Sequence, residues 1–187
     1  GTSGILMISK DGIPVANSPL GERVPLNLYY SYGLRNSFGI DFDPLTGKLW
    51  DTENGEDFGD EINLVEPGFN SGWSKVEGIW TLDEEEGMTE ATPPNPENGL
   101  VDFGGKGKYS SPEFTWRESL GPSAIKFFNS DRLGKQYEND IFVGDIGNGN
   151  LYHFDLNKDR TALVLEGPLS DKLADSDNEN EEINKTW

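Results

Sequence analysis

The chain contains no cysteine and a single histidine, His153. Without cysteine there are no disulfides, no thiolate metal sites and no cysteine nucleophile. The compartment stays open, because exported prokaryotic proteins often lack cysteine too. One histidine, on a strand pattern beside Tyr152 and Phe154, does not build a Ser-His-Asp set and reads first as structural. Basic residues are scarce: 15 Lys and Arg face 34 Asp and Glu, a formal charge of -19. That balance argues against nucleic-acid phosphates and anionic membrane surfaces, which need a basic face. It suits cations, sugars or neutral ligands. Hydrophobic residues reach only 34%, and no apolar run approaches the ~20 residues of a membrane span. No signal peptide, P-loop or dinucleotide fingerprint is present. The chain opens Gly1-Thr2-Ser3 and stops at Ile183-Asn184-Lys185-Thr186-Trp187, and both ends read as cuts. Aromatics are plentiful for so polar a chain, at 11% with five Trp, and this argues against disorder throughout. The 187 residues suit one domain of average size.

The periodic segments are short and rich in β-branched and aromatic residues: Ile5–Ser9, Leu28–Tyr32, Gly39–Phe42, Lys48–Thr52, Glu61–Val65, Phe114–Arg117, Ala124–Phe128, Asp140–Gly144, Asn150–Asp155 and Ala162–Glu166. Turn signals separate them, among them Asp43-Pro44-Leu45-Thr46-Gly47 and Gly147-Asn148-Gly149-Asn150. No long window carries a helical stripe, and Leu169–Ala174 holds one helical turn at most. Short strands grouped by four in units of roughly 40–50 residues mark propeller blades. The expectation is therefore an all-β, partial β-propeller of about four blades. Residues 82–108 interrupt the pattern and read as an exposed insertion, and 170–182 as an acidic loop. An open arc leaves unpaired strand edges, so association with itself or with the rest of a parent chain is expected.

Two stretches carry candidate chemistry. In Tyr32-Gly33-Leu34-Arg35-Asn36-Ser37-Phe38-Gly39, a cation and an amide sit between glycines. They suit an anionic, carbonyl-rich ligand, or else Arg35 binds backbone carbonyls. Trp50 to Leu64 is dense in carboxylates and glycine, which suits a hard cation such as Ca²⁺ without EF-hand spacing, or else is a solvated acidic turn. Nothing selects a glycosidase pair among the 34 acids. The acidic tail 175–182 also lacks EF-hand spacing and reads as solvated.

In order, Gly4-Ile5-Leu6-Met7-Ile8, Asp11-Gly12-Ile13-Pro14, Tyr32 to Trp50, Glu53-Asn54-Gly55, Asp60-Glu61-Ile62-Asn63, Pro67 to Trp73, Gly121 to Phe128 and Asp140 to Asp145 resemble the soluble glucose/sorbosone dehydrogenases, or aldose sugar dehydrogenases. The resemblance runs from about Gly4 to Glu166. It implies a six-bladed β-propeller that oxidises sugars with pyrroloquinoline quinone (PQQ) and Ca²⁺. It places the cofactor-contacting pair on Arg35 and Asn36, and the carbonyls that hold the cofactor's Ca²⁺ on Gly55 and Glu56. It places a second Ca²⁺ on the Glu61 carboxylate, carbonyls near Ser71 and Glu77, and Glu113, with Asp60 beside Glu61.

The departures bear on activity. The family's catalytic His lies upstream of the Gly4 segment, and His153 does not match it. Gly147 stands where the family has a cofactor-binding Lys. Phe69-Asn70-Ser71-Gly72-Trp73-Ser74 replaces the usual Gly-Asn-Tyr-Gly-Trp-Pro. Two functions stay open: an inactive piece of a PQQ- and calcium-dependent aldose sugar dehydrogenase, with sugar the substrate of the parent protein, or a non-catalytic calcium-binding module for protein or glycan. The family also implies a periplasmic or extracellular location.

Overall fold

The computed structural model describes residues 3–83, 87–90 and 99–175. These residues contain β-strands, three short 3₁₀ turns and no α-helix. Among the described residues, no helix is long and apolar enough to cross a membrane.

The fold is all-β, a partial propeller. Its largest sheet runs from β1 (Ser37–Phe42) through β2 (Leu49–Glu53), β3 (Phe58–Val65) and β9 (Phe114–Glu118) to β13 (Leu173–Ala174). The first four strands are antiparallel, and β13 joins β9 in parallel. The second large sheet is β10 (Pro122–Phe127), β11 (Ile141–Asp145) and β12 (Leu151–Phe154). Two smaller sheets come from the chain between β3 and β9. One pairs β4 (Phe69–Asn70) with β8 (Lys108–Tyr109); the other joins β5 (Val76–Glu77), β6 (Trp80–Asp83) and β7 (Gly87–Glu90).

The β1–β2 hairpin follows from its turn chemistry. Asp43 accepts from the Leu45 N–H at 3.0 Å and from the Thr46 hydroxyl, which closes an Asx turn, and Gly47 takes the left-handed conformation at φ 73°. Alternation then sorts β2 and β3 onto two faces. Trp50 and Ile62 point toward the second sheet, where they pack with Phe114, Trp116, Ile125, Phe127, Ile141, Val143, Tyr152 and Phe154. Edge-on aromatic pairs hold this core, including Phe114–Trp116 at 4.9 Å and 84°. On the opposite face Leu49 and Val65 join Leu34 and Phe69 in a second, smaller core.

Polar links tie the two large sheets. Asp41 accepts from the Phe127 N–H at 2.9 Å and pairs with Lys126 at 2.8 Å. Arg160 donates from Nε to the buried Asp43 carboxylate at 2.7 Å. At Gly39 a Cβ would meet the Ile125 backbone nitrogen at 2.8 Å, so the close approach of β1 to β10 requires glycine.

The structure adds detail to several sequence-based boundaries. Ile5–Ser9 and Leu28–Tyr32 make only isolated bridges, Leu6 to Tyr29, Ile8 to Pro14 and Tyr32 to Asn70, and Pro14 opposite Ile8 has no N–H to donate. The 82–108 interval is partly sheet: Leu82 and Asp83 end β6, Gly87–Glu90 form β7, and Gly107 is buried against Tyr32, while 84–86 and 91–98 lie outside the described residues. The 170–182 interval begins in the 3₁₀ turn Gly167–Asp171 and continues into β13, where Leu173 is buried beside β9; residues 176–182 lie outside the described residues.

Candidate functional site

The candidate site is the acidic face of β2 and β3 together with the segments folded over it. Ladder register pairs Asp51 with Asn63 and Glu53 with Glu61. Alternate residues of a strand share a face, so these four side chains form one cross-strand patch, continuing the row begun by Leu49 and Val65. All four are buried, Asp51 completely and Glu53, Glu61 and Asn63 to within a few per cent. Residues 33–37 and 69–78 cover the patch. The Arg35 N–H donates to Glu53 Oε1, Ser37 Oγ to Asp51 Oδ2 at 2.6 Å, Ser71 Oγ to Glu61 Oε2 at 3.0 Å, and the Gly78 N–H to Glu61 Oε1 at 2.7 Å.

Burial dominates the electrostatics. Loss of water pushes the Asp51 carboxyl up to about 7 and the Glu61 carboxyl up to about 8. Glu53 is raised well above its ordinary value, first by burial and then by the neighbouring charges of Glu61 and Asp51. Among the described residues, no Lys, Arg or His forms an ion pair with Asp51, Glu53 or Glu61.

Arg35 stands at the rim. Its Nη1 donates to the carbonyls of Asn54 at 2.9 Å and Gly55 at 2.7 Å. Its guanidinium lies over the Trp73 ring at 5.5 Å, and its Nε is 3.9 Å from Glu77. Asn36 beside Arg35 is exposed. The Glu56 N–H donates to Glu77 Oε1, and burial raises the Glu77 carboxyl against the lowering effect of Arg35.

The structure brings Arg35, Gly55, Glu56, Asp60, Glu61, Ser71 and Glu77 into one neighbourhood, with different roles. Asp60 is a clamp: it accepts from the N–H groups of Gly55 at 2.8 Å, Leu120 at 2.7 Å and Gly121 at 2.8 Å, and from Ser119 Oγ at 3.2 Å. With its oxygens so occupied, it fixes the acidic turn to the loop between β9 and β10. The Glu113 carboxylate is bonded to Lys172 at 2.9 Å. The Gly55 carbonyl faces a guanidinium.

Sequence reasoning marked the stretch Trp50 to Leu64 but did not single out Asp51, Glu53 and Asn63 within it. Each carries a buried oxygen: Asp51 Oδ1, Glu53 Oε2 and Asn63 Oδ1. Asn63 and Ser71 are the side-chain donors beside Asp51 and Glu53, and an all-oxygen set of this kind suits a hard cation. A quinone bearing several carboxylates fits less well. Arg35 already spends Nη1 on two carbonyls, and a Cβ at Gly147 would lie 2.7 Å from the Leu120 carbonyl oxygen, so a lysine does not enter there without a backbone shift. The residues of this chain do not complete a PQQ site.

The fold is an all-β partial propeller, and the comparisons with known proteins say which family it belongs to. The family model for Glucose / Sorbosone dehydrogenase matches residues 2–174. The chain belongs to that family. It is 30% identical over 160 residues to the uncharacterized protein slr1608 of Synechocystis, covering 85% of this chain and 36% of that one. It is 30% identical over 131 residues to the aldose sugar dehydrogenase YliI of Escherichia coli, covering 70% and 32%. The chain thus spans about a third of the length of these relatives. Its fold matches the apo soluble aldose sugar dehydrogenase of E. coli at TM-score 0.64 and 24% identity, over 87% of this chain and 43% of the other. It also matches the PQQ-bound aldose sugar dehydrogenase of Streptomyces coelicolor at 0.58 and 24%, over 87% and 37%.

Proposed function

We propose that this chain is the calcium-binding part of an aldose sugar dehydrogenase-like protein, and that the 187 residues alone do not oxidise sugars. The carrying observation is the separation of its parts. The acidic face and Arg35 belong to the β1–β2–β3 region, while the single imidazole lies in the other large sheet, where His153 Nε2 meets Asp140 at 3.0 Å. Sugar oxidation needs a base to take the proton while the hydride leaves for a bound oxidant. An aldose sugar dehydrogenase whose fold this chain shares is known in a PQQ-bound form. Here Arg35 and Asn36 offer at most one edge of such a site, and the rest comes from outside these residues.

A second reading is a calcium-binding module for protein or glycan without catalysis. The packing of Gly147 against Leu120 favours it, because that position has no room for a second cation. Exported character goes with the family in either case.

The test is a PQQ titration with Ca²⁺ present, followed by an aldose-oxidation assay with an artificial electron acceptor, on this chain and on a full-length protein that contains it. The proposal expects no sugar oxidation by the chain and PQQ-dependent oxidation by the full-length protein. Oxidation by the chain overturns the first claim. A full-length protein that neither binds PQQ nor oxidises any aldose leaves the module reading standing.

A further inference from the structure

We infer that Asp140, His153 and Asp155, where β11 begins and β12 stops, form a site for one borderline divalent metal ion, Zn²⁺ fitting best. One ligand atom from each of the three lies within 4.8 Å of the others. The site is in the second large sheet, apart from the acidic face of β2 and β3.

The register builds it. Phe142 pairs with His153 and Ile141 with Phe154, so the next step sets Asp140 opposite Asp155. Alternation puts His153 and Asp155 on one face of β12, against Asp140 and Phe142 on β11. The backbone of Asp140 is fixed on both sides: its N–H donates to the Tyr137 carbonyl at 3.3 Å, and its carbonyl accepts from the Phe128 N–H at 2.9 Å. The imidazole is held between two rings, Tyr137 edge-on at 4.9 Å and 83°, and Phe142 tilted at 5.0 Å and 37°. Its Nε2 is thereby aimed at both carboxylates, 3.0 Å from Asp140 Oδ2 and 3.7 Å from Asp155 Oδ1.

A histidine bracing one aspartate explains only half of this. A single Nε2–H serves Asp140, and 3.7 Å to Asp155 exceeds a hydrogen bond. The Asp155 side chain is 61% exposed and could turn into water. It instead lies against a carboxylate of like charge. Burial, and the Asp155 charge after the hydrogen bond from His153, act on the Asp140 carboxyl, and the net effect raises it. No Lys or Arg among the described residues is ion-paired with either carboxylate. A divalent ion at the common point neutralises both charges and takes the Nε2 lone pair.

The spacing suits zinc. Two ligands each about 2.0–2.1 Å from Zn²⁺ at the tetrahedral angle are about 3.3–3.4 Å apart. The observed 3.0 and 3.7 Å lie on either side of that value. One imidazole with two carboxylates is a mixed set that borderline metals take, whereas Ca²⁺ and Mg²⁺ take oxygen. Three protein ligands leave a fourth position for water, on the solvent side of Asp155.

The inference does not depend on sugar oxidation or on calcium, and its test uses the whole chain without PQQ. His153 is the only histidine, so protein labelled with ¹⁵N-histidine gives one assigned pair of imidazole nitrogen signals. After chelation, saturating Ca²⁺ is restored to fill any hard-cation site, and Zn²⁺ is titrated in. Expected is a shift of the Nε2 signal that is complete at one Zn²⁺ per chain, with the proton left on Nδ1, and no shift with Mg²⁺. Asp140→Asn and Asp155→Asn should each weaken Zn²⁺ binding by more than the roughly 10-fold that loss of an outer partner costs. Glu118→Gln, at an exposed carboxylate on β9, should leave it unchanged. If Asp140→Asn fails to fold, the exposed Asp155→Asn carries the test alone. Imidazole signals that stay in place under a tenfold excess of Zn²⁺ overturn the proposal. So does Zn²⁺ affinity that Asp155→Asn leaves at the wild-type value, since the ion would then sit on a lone imidazole.

Discussion

Asp60 offers the sharpest test of how the acidic turn is held. Its carboxylate is fully buried and accepts three backbone N–H groups from two separate segments, at 2.7 to 2.8 Å, plus the Ser119 hydroxyl. Asp60→Ala leaves the N–H groups of Gly55, Leu120 and Gly121 without partners in the interior. Each such orphan costs about 1–3 kcal/mol, so the variant should lose about 3–9 kcal/mol. Asp60→Asn is milder. Its amide oxygen can keep Leu120 and Gly121, while its NH₂ is turned toward the Gly55 N–H, so one donor is lost at about 1–3 kcal/mol. Domains of this kind have about 5–15 kcal/mol in all, so Asn should fold and Ala should be marginal. Urea unfolding of both variants, read by tryptophan fluorescence, gives the two values and their order. If Asp60 instead served a cation, Asp60→Asn would cost little in chelator and abolish the Ca²⁺ response. A loss below about 1 kcal/mol for Asp60→Ala refutes the clamp, because three orphaned N–H groups do not cost so little.

Other expectations follow from the same structure. Phe114 is fully buried at the centre of the aromatic core, so Phe114→Ala should cost about 3–5 kcal/mol by denaturant unfolding. Arg160→Met leaves the Asp43 carboxylate buried and unpaired, and should cost about 3–5 kcal/mol at neutral pH. Burial raises the Asp43 carboxyl, but hydrogen bonds from Arg160, Thr46 and the Leu45 N–H outweigh it and hold it below 3.8. Its contribution is therefore complete above that unfolded value and lost as pH falls through the lower folded one. A pH series of melting temperatures should show this acid loss in wild type and much less of it in Arg160→Met. Finally, Phe38, Ile40 and Phe42 form an exposed apolar row on edge strand β1, so sedimentation should show association that weakens in Phe38→Ser/Phe42→Ser. A monodisperse wild-type monomer would count against it.

What could be read from sequence depended on how far each pattern extended. Strands β1, β2, β3, β9, β10, β11 and β12 carry enough alternating residues to show a period of two, and Asp43 to Gly47 announces its turn. Two-residue strands such as Phe69–Asn70, Val76–Glu77 and Lys108–Tyr109 have no period to detect, because tertiary pairing alone makes them strands. Ala162–Glu166 looked like a strand but makes one bridge, Leu156 to Leu163. At the site, Glu61, Ser71 and Glu77 do come together. Asp51, Glu53 and Asn63 lie inside the carboxylate-rich stretch Trp50–Leu64, but nothing in the linear order separates them from its other acids. Only the register shows that polar residues alternate on both strands and meet on one buried face. The roles of Asp60 and Glu113 were likewise unreadable, since their partners Leu120, Gly121 and Lys172 lie about 60 residues away in the chain.

Hydrogen exchange of the chain in chelator and in saturating Ca²⁺ tests the central claim most directly, because it both detects the cation and locates it. Bound Ca²⁺ should slow exchange across β2 and β3, residues 49–65, and at Gly78, with little change in β10, β11 and β12. No Ca²⁺-dependent protection, or protection confined to the sheet of β10–β12, would contradict the account.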